Sequence, residues 1–276
     1  MLEDRDYMRG PEYGANRWQT ATAVILILNA VVFLIQMAKP AFYLDLRLSS
    51  GGLQRGYLWQ LLTYQFLHAD IIHLALNSMG LFTFGFAVEE ALGKKRYLAL
   101  YLISGVMGGL VHVAGQFVLP AAFGLGGVVG ASAGLFGLIA AFALMAPERD
   151  LTVYLFMMFP ITVSAKVLAG TFLGISLLGL IFEITGIGRS VVAHGAHAGG
   201  MLGGWLMLRF FSRRSRSREN ASTQAEIAEE KQSSETEFLQ KQADEILDKI
   251  HAKGIHSLTA AEHKTLDAYR KKMNQR

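Results

Sequence analysis

The chain has 276 residues, of which 52% are hydrophobic and 17% charged, a net charge of +4 and no cysteine. A soluble domain carries about 25% charged residues, and here the apolar residues are bunched into blocks rather than spread at amphipathic spacing, which points to lipid as the solvent. The small, uneven charge gives no ground for a nucleic-acid partner, and the lack of cysteine excludes disulfides, thiolate metal sites and a cysteine nucleophile.

Residues 1–19 carry mixed charge and no clear cleavage site follows the first apolar block, so that block is read as a retained first span after an N-terminal segment. The apolar blocks run Thr20–Ala38, Ile71–Val88, Tyr97–Leu119, Gly130–Met145, Lys166–Ile184 and Val191–Phe211. Each is near the ~20 residues that cross ~30 Å of hydrocarbon as a helix. The fourth is short, so it is expected to start below the membrane surface, enclosed by protein or a wet cavity. The expected fold is all-α, a six-helix membrane bundle over residues 20–211. Lys94, Lys95, Arg96, Arg149 and the cluster Arg209, Arg213, Arg214, Arg216 and Arg218 fall on one side. Lys39, Arg47, Arg55 and Arg189 fall on the other, a contrast that puts both termini in the cytoplasm.

Two connections are longer than simple turns. Pro40–Gly56 mixes leucines and aromatics with charges and is expected to lie partly in the interface. Leu151–Ala165 is apolar but broken by Pro160, and is expected to be a surface-hugging or re-entrant segment. From Ser212 to Thr236 the Ser, Arg, Glu and Gln content predicts a flexible linker. Residues 237–276 predict a small cytoplasmic helical module: Phe238, Ile246, Leu247 and Ile250 at helical spacing, Gly254 as a stop, and Thr259 with Glu262 as a capping box for a helix carrying Leu266 and Tyr269.

Polar groups in spans are costly and need a reason. They collect in three places. Gly130-Ala131-Ser132-Ala133-Gly134 opens the fourth span, where free N–H groups and the positive end of the helix dipole can meet a developing oxyanion. A plain serine cap beside a small-residue packing face is the bland reading of the same stretch. Ala193-His194-Gly195-Ala196-His197-Ala198-Gly199-Gly200 lies early in the last span, and a neutral imidazole is the usual base for a serine. Gly199 with Gly203, and Gly200 with Gly204, permit close helix packing, and spacing does not choose between the two histidines. His68, His73 and Asn77 surround the start of the second span. His73 and Asn77 share a helix face and can both donate hydrogen bonds, although a structural polar contact would look the same. All three clusters sit near the same end of their helices, so they can meet in one pocket.

At this point the chain resembles the rhomboid family of intramembrane serine proteases. The matching stretches are Trp59-Gln-Leu-Leu-Thr-Tyr-Gln-Phe-Leu-His68, His73-Leu-Ala-Leu-Asn77, Gly130-Ala-Ser132 and Ala196-His197-Ala-Gly-Gly200, with the weaker Ala87-Val-Glu89…Leu92-Gly93. The resemblance covers about Thr20 to Phe211 and implies the rest of the assignment. Ser132 would be the nucleophile and His197, not His194, the general base. His73, Asn77 and the Ser132 backbone N–H would form the oxyanion hole. Phe136 would stack on the imidazole, and Gly130, Gly134, Gly199 and Gly200 would support the site.

No third, acidic catalytic member, no metal and no other cofactor is implied. The segment Lys166–Ser190 would act as a lateral gate. Partners would be transmembrane protein substrates and the lipid bilayer, and the location a bacterial inner membrane. Two departures stand out: Ala133 precedes Gly134 where the family often has glycine directly after the serine, and Gln60 follows Trp59 where the family usually has arginine. The alternative is an inactive relative that binds membrane clients. A transporter, or a metal or haem protein, is disfavoured by the lack of an internal repeat and of a His-Glu-x-x-His motif.

Overall fold

Lipid offers backbone groups no hydrogen-bond partner, so long apolar blocks must close their bonds internally as helices. The computed structural model describes residues 19–124, 126–155, 159–185 and 192–273. The expected N-terminal segment, the loop around Arg189 and the start of the sixth apolar block at Val191 fall outside the described residues.

Helix α1 (Ala21–Ala38) is capped by the Thr20 hydroxyl, which accepts from the Ala23 N–H. The long connection expected to hug the interface contains three short helices, α2 (Pro40–Leu46), α3 (Ser50–Gln54) and α4 (Gln60–Thr63). Asp70 caps α5 (Ile71–Gly80), which continues through a π turn at Leu81–Gly85 into α6 (Phe86–Leu92). Gly93, at φ +76°, ends that run and opens α7 (Lys94–Val118). The single turn α8 (Pro120–Phe123) and an extended stretch lead to α9 (Ser132–Met145). Then follow α10 (Ala165–Thr185), α11 (His194–Lys253) and α12 (Ala260–Met273).

Among the described residues four runs are long and apolar enough to cross a membrane: α1, Ile71–Leu92, α7 and α10. With 14 residues, α9 rises only about 21 Å and cannot by itself traverse the hydrocarbon layer. The core centres on α7, α9 and the first turns of α11, which meet through small residues. A Cβ at Gly108 would sit 2.4 Å from the Ala196 carbonyl oxygen, and one at Gly204 would sit 2.2 Å from that of Gly137. Only glycine lets these backbones touch. A buried carboxylate ties α1 to α6. Glu89 accepts from the N–H groups of Ala21 (2.7 Å) and Thr22 (2.8 Å) and from the Thr22 hydroxyl, filling the donors that a helix start leaves open.

Two segments differ in local structure from what the sequence suggested. The fold is predominantly helical, and the segment expected to be surface-hugging or re-entrant contains an antiparallel ribbon, β1 (Asp150–Leu155) and β2 (Phe159–Ser164). Thr152, Val153, Ile161, Thr162 and Val163 are β-branched, which favours a strand, and Pro160 is tolerated because both strands of a two-stranded ribbon are edges. The stretch Ser212–Thr236, expected to be a flexible linker, is helical within α11. It holds no glycine or proline, and its many Glu, Gln, Arg and Ala residues favour a helix.

Two compact units divide between Phe210 and Phe211. In the second, Ala243 and Ile246 are buried, whereas Phe238 and Leu247, expected on the same apolar face, are exposed. Gly254, at φ +79°, ends α11. Thr259 and Glu262 exchange hydrogen bonds as a capping box. The Lys249 ammonium, with the Thr259 donors, holds the Glu262 carboxyl down to about 2.

Candidate active site

Ser132 stands at the first position of α9 because the chain before it is pinned on both sides. Leu48 and Val128 pair backbone to backbone, the Gly130 N–H donates to the Tyr64 carbonyl at 2.9 Å, and the Tyr64 hydroxyl donates to the Gly105 carbonyl at 2.6 Å. Gln116, buried in α7, accepts from the Ser50 N–H and donates to the Gly126 carbonyl, so it stitches the two connections together. Gly130 adopts φ +128°, a region side chains avoid, and a Cβ there would lie 2.7 Å from the His73 ring. Both geometry and space demand glycine. The first-turn N–H groups of α9 have no intrahelical acceptor, and they surround the serine at the positive end of the helix dipole.

The second half of the site comes from α11. Its first turns press so closely on α9 that a Cβ at Gly200 would lie 2.1 Å from the Ala133 carbonyl oxygen. A Cβ at Gly199 would meet Val111 and the Gly108 backbone, and one at Gly134 would meet Tyr101. That contact places His197 Nε2 2.9 Å from Ser132 Oγ. One turn into α9, Phe136 stacks on the His197 imidazole with ring centres 4.1 Å apart and planes 18° apart, fixing the ring's tilt. Phe136 also touches Phe172 of α10, at 5.4 Å. Of the two candidate histidines, His197 meets the serine. His194 stands one turn earlier, edge-on to His197 and against Gly179 of α10.

The third cluster flanks this pair. His73 Nδ1 accepts from the Ala69 N–H at 3.4 Å, and the far edge of its ring faces Gly130, two residues from Ser132. Asn77 is buried, and its Nδ2 donates to the His73 carbonyl at 3.0 Å, which leaves one amide proton uncommitted to its own helix. Among the described residues Asn77 has no hydrogen bond to Ser132. His68 is fully buried, edge-on to His73, and Gln36 clamps its backbone, accepting from its N–H and donating to its carbonyl.

The two departures noted in the sequence are accommodated locally. Gln60 does the bracing for which an arginine is usual: it donates to the Asp45 carbonyl at 3.1 Å and accepts from the Ser49 N–H at 3.3 Å. Ala133 fits because the facing residue on α7 is Gly108. Sequence reasoning missed Tyr64, Gln116 and Phe172. Tyr64 lay inside a family-like stretch with no role of its own, Gln116 was visible only as a costly polar group in an apolar block, and Phe172 gave no signal at all. Among the described residues no group of three or more His, Asp or Glu is arranged to hold a metal ion.

A half-buried hydroxyl in contact with an imidazole, inside a helical domain with four runs among the described residues long and apolar enough to cross a membrane, is the pattern of an integral membrane protein that carries a serine–histidine pair. The rhomboid domain family model matches residues 55–214, more than half of the chain, and the chain belongs to that family. Residues 228–272 match a family of unknown function (DUF6576). The chain is 37% identical over 99 residues to the putative rhomboid protease YdcA of Bacillus subtilis (strain 168), covering 36% of this chain and 47% of that protein. It is 31% identical over 155 residues to the rhomboid protease GluP of the same organism, covering 55% of this chain and 26% of GluP. To the mitochondrial presenilin-associated rhomboid-like protein A of Danio rerio it is 29% identical over 194 residues, covering 69% of this chain and 48% of the relative. The chain thus spans at most about half the length of these relatives.

Proposed function

We propose that the protein is an intramembrane serine endopeptidase that hydrolyses peptide bonds in or near transmembrane segments of other membrane proteins. The observation that carries this reading is the 2.9 Å approach of His197 Nε2 to Ser132 Oγ at the start of a helix. In the proposed reaction the neutral imidazole takes the hydroxyl proton as Oγ attacks the scissile carbonyl, then gives it to the leaving amine. Water repeats the sequence on the acyl-enzyme. The Ser132 N–H, with donors from His73 and Asn77, holds the oxyanion. The Phe136 stack keeps Nε2 aimed at Oγ. No acidic third member is required.

The remaining elements of the proposal follow from this chemistry. The bundle has six spans, with the short α9 and the first turns of α11 joining the four long runs, and both termini lie in the cytoplasm of a bacterial inner membrane. Residues 20–211 form the protease domain and residues 237–276 the small cytoplasmic module. An intact substrate helix hides its carbonyls, so locally unstable helices are the expected substrates. They enter past Lys166–Ser190, and α10 suits a gate because only Ala165, Ala169, Ser176 and Glu183 of its residues are buried. Residues 186–190 of that segment lie outside the described residues.

Ser132→Ala and His197→Ala, each in full-length protein, should abolish cleavage of a single-span reporter and labelling by a fluorophosphonate while leaving the fold intact. Full cleavage by either variant would sink the dyad. A wild-type protein that takes up the probe but cleaves none of a broad panel of single-span proteins would favour client binding instead.

A further inference from the structure

The ribbon between α9 and α10 has an unusual distribution of side chains. Its register sets Leu151 opposite Val163 and Val153 opposite Ile161, with Asp150 opposite Ser164 and Thr152 opposite Thr162. Alternation along a strand therefore puts Leu151, Val153, Ile161 and Val163 on one face and the polar residues on the other. Among the described residues the apolar face is only partly covered: Ile161 is 42% exposed and its three apolar companions are half-buried, while Thr152 and Thr162 are exposed. Hairpin turns are normally built from Gly, Asn, Asp or Pro. Here the sequence from Leu155 to Phe159 is Leu-Phe-Met-Met-Phe, with no polar residue. The root has the opposite character, with Arg149, Asp150 and an exposed Lys166–Glu148 ion pair of 2.6 Å.

A two-stranded ribbon is marginally stable at best in water and needs its apolar face covered. Its outer edges also carry unpaired N–H and C=O groups, which forbid immersion in hydrocarbon. The depth that satisfies both demands is the boundary between headgroups and acyl chains, where amphipathic elements settle about 5–10 Å deep. The position in the chain agrees. The ribbon runs directly into α10, which is long and apolar enough to cross a membrane, so its root lies at the level where that helix enters the bilayer.

We propose that the β1–β2 ribbon is an interfacial lipid anchor, with the Leu151–Val153–Ile161–Val163 face on the acyl-chain boundary of the leaflet at the Ala165 end of α10 and the Thr152–Thr162 face toward water. The occupant of the apolar face is lipid, and the anchor sets the depth at which α10 begins. It stands whether or not the protein is a protease.

The absence of native cysteine allows a clean test. Single variants Val153→Cys, Ile161→Cys, Thr152→Cys and Thr162→Cys, each in the full chain, are labelled with bimane and reconstituted in phosphatidylcholine–phosphatidylglycerol vesicles. Quenching by lipid spin-labelled near the top of the acyl chain is compared with quenching by aqueous iodide. The expected result is severalfold stronger lipid quenching at residues 153 and 161, severalfold stronger iodide quenching at 152 and 162, and bluer unquenched emission at the first pair. Iodide quenching that is alike at all four positions would overturn the proposal by standing the ribbon in water. Protection of 153 and 161 from both quenchers would also overturn it, because a second copy or another part of the chain would then be the cover. Each variant is compared only if it elutes as the parent protein does, and the emission colour gives a second reading that needs no quencher.

Discussion

Helices α7 and α10 are both long apolar spans, yet they meet the rest of the protein in opposite ways. The buried side of α7 includes Ser104, Gly105, Gly108 and Gly109, positions where α9 and α11 come into backbone contact or where Tyr64 and Leu48 are received. On α10 a Cβ could be added at Gly170 or Gly174 without meeting any atom within 4 Å. The first helix is a wall against which the reacting groups are set. The second is a more loosely held neighbour that reaches them through Phe172 on Phe136 and through Gly179 against His194. Under the proposed function, a serine–histidine pair would need a constant distance between its two atoms and a polypeptide substrate would need room to arrive, and the two helices suit those different demands.

This contrast can be broken or sharpened by substitution. The largest effect is expected for Gly200→Val. Its side chain would collide with the Ala133 backbone, which cannot move aside as a side chain could. The cost should reach or exceed the ~3 kcal/mol upper end of ordinary overpacking, seen as a collapse of thermal stability in detergent together with loss of probe labelling. A stable, active Gly200→Val protein would show that the wall is softer than its geometry implies. Next comes Asn77→Ala, expected to lower kcat for reporter cleavage by roughly ten- to a thousandfold with stability little changed. No loss of turnover would make Asn77 a purely structural ligand of the His73 carbonyl.

Phe136→Ala tests the aromatic bridge between the two regions. It frees the imidazole to tilt, and a fall in kcat of up to about a hundredfold is expected, with labelling slowed but not abolished. Unchanged kcat would mean that the stack is ornamental to the chemistry. The smallest effect belongs to Gly170→Ala on α10. Helix propensity alone should stabilise the protein by at most about 1 kcal/mol, and cleavage should remain within a few fold of the parent. A strong loss would reveal a contact that α10 makes only while working.

The same division explains what could be read from the amino acids beforehand. Ser132, His197, His73 and Asn77 stood out because a polar group in an apolar block is expensive, and four of them near matching helix ends call for one explanation. Choosing His197 over His194 needed the family resemblance, since both lie on the same span; His197 is the ring that lies 2.9 Å from Ser132 Oγ. Tyr64, in a connection between blocks, and Gln116, a lone polar residue in a long one, were illegible because neither forms a pattern, and only the chain's path shows which carbonyls they serve. The β1–β2 ribbon was hidden for a different reason. Its alternation gives way to the apolar sequence Leu155-Phe-Met-Met-Phe159, which holds no residue typical of turns, so the run reads as one continuous greasy segment. The helical character of 212–236 was masked by serine-rich composition, although no helix breaker is present there.

Glu89 carries a practical lesson for shortening this polypeptide. The family match begins at residue 55, which tempts one to treat everything earlier as dispensable. Yet the three donors that satisfy this carboxylate all belong to Ala21 and Thr22. A version trimmed to the matched boundary would leave this buried carboxylate without its three donors, and a buried polar group without partners is costly. The first crossing is therefore half of an electrostatic joint, and expression trials should start upstream of Thr20.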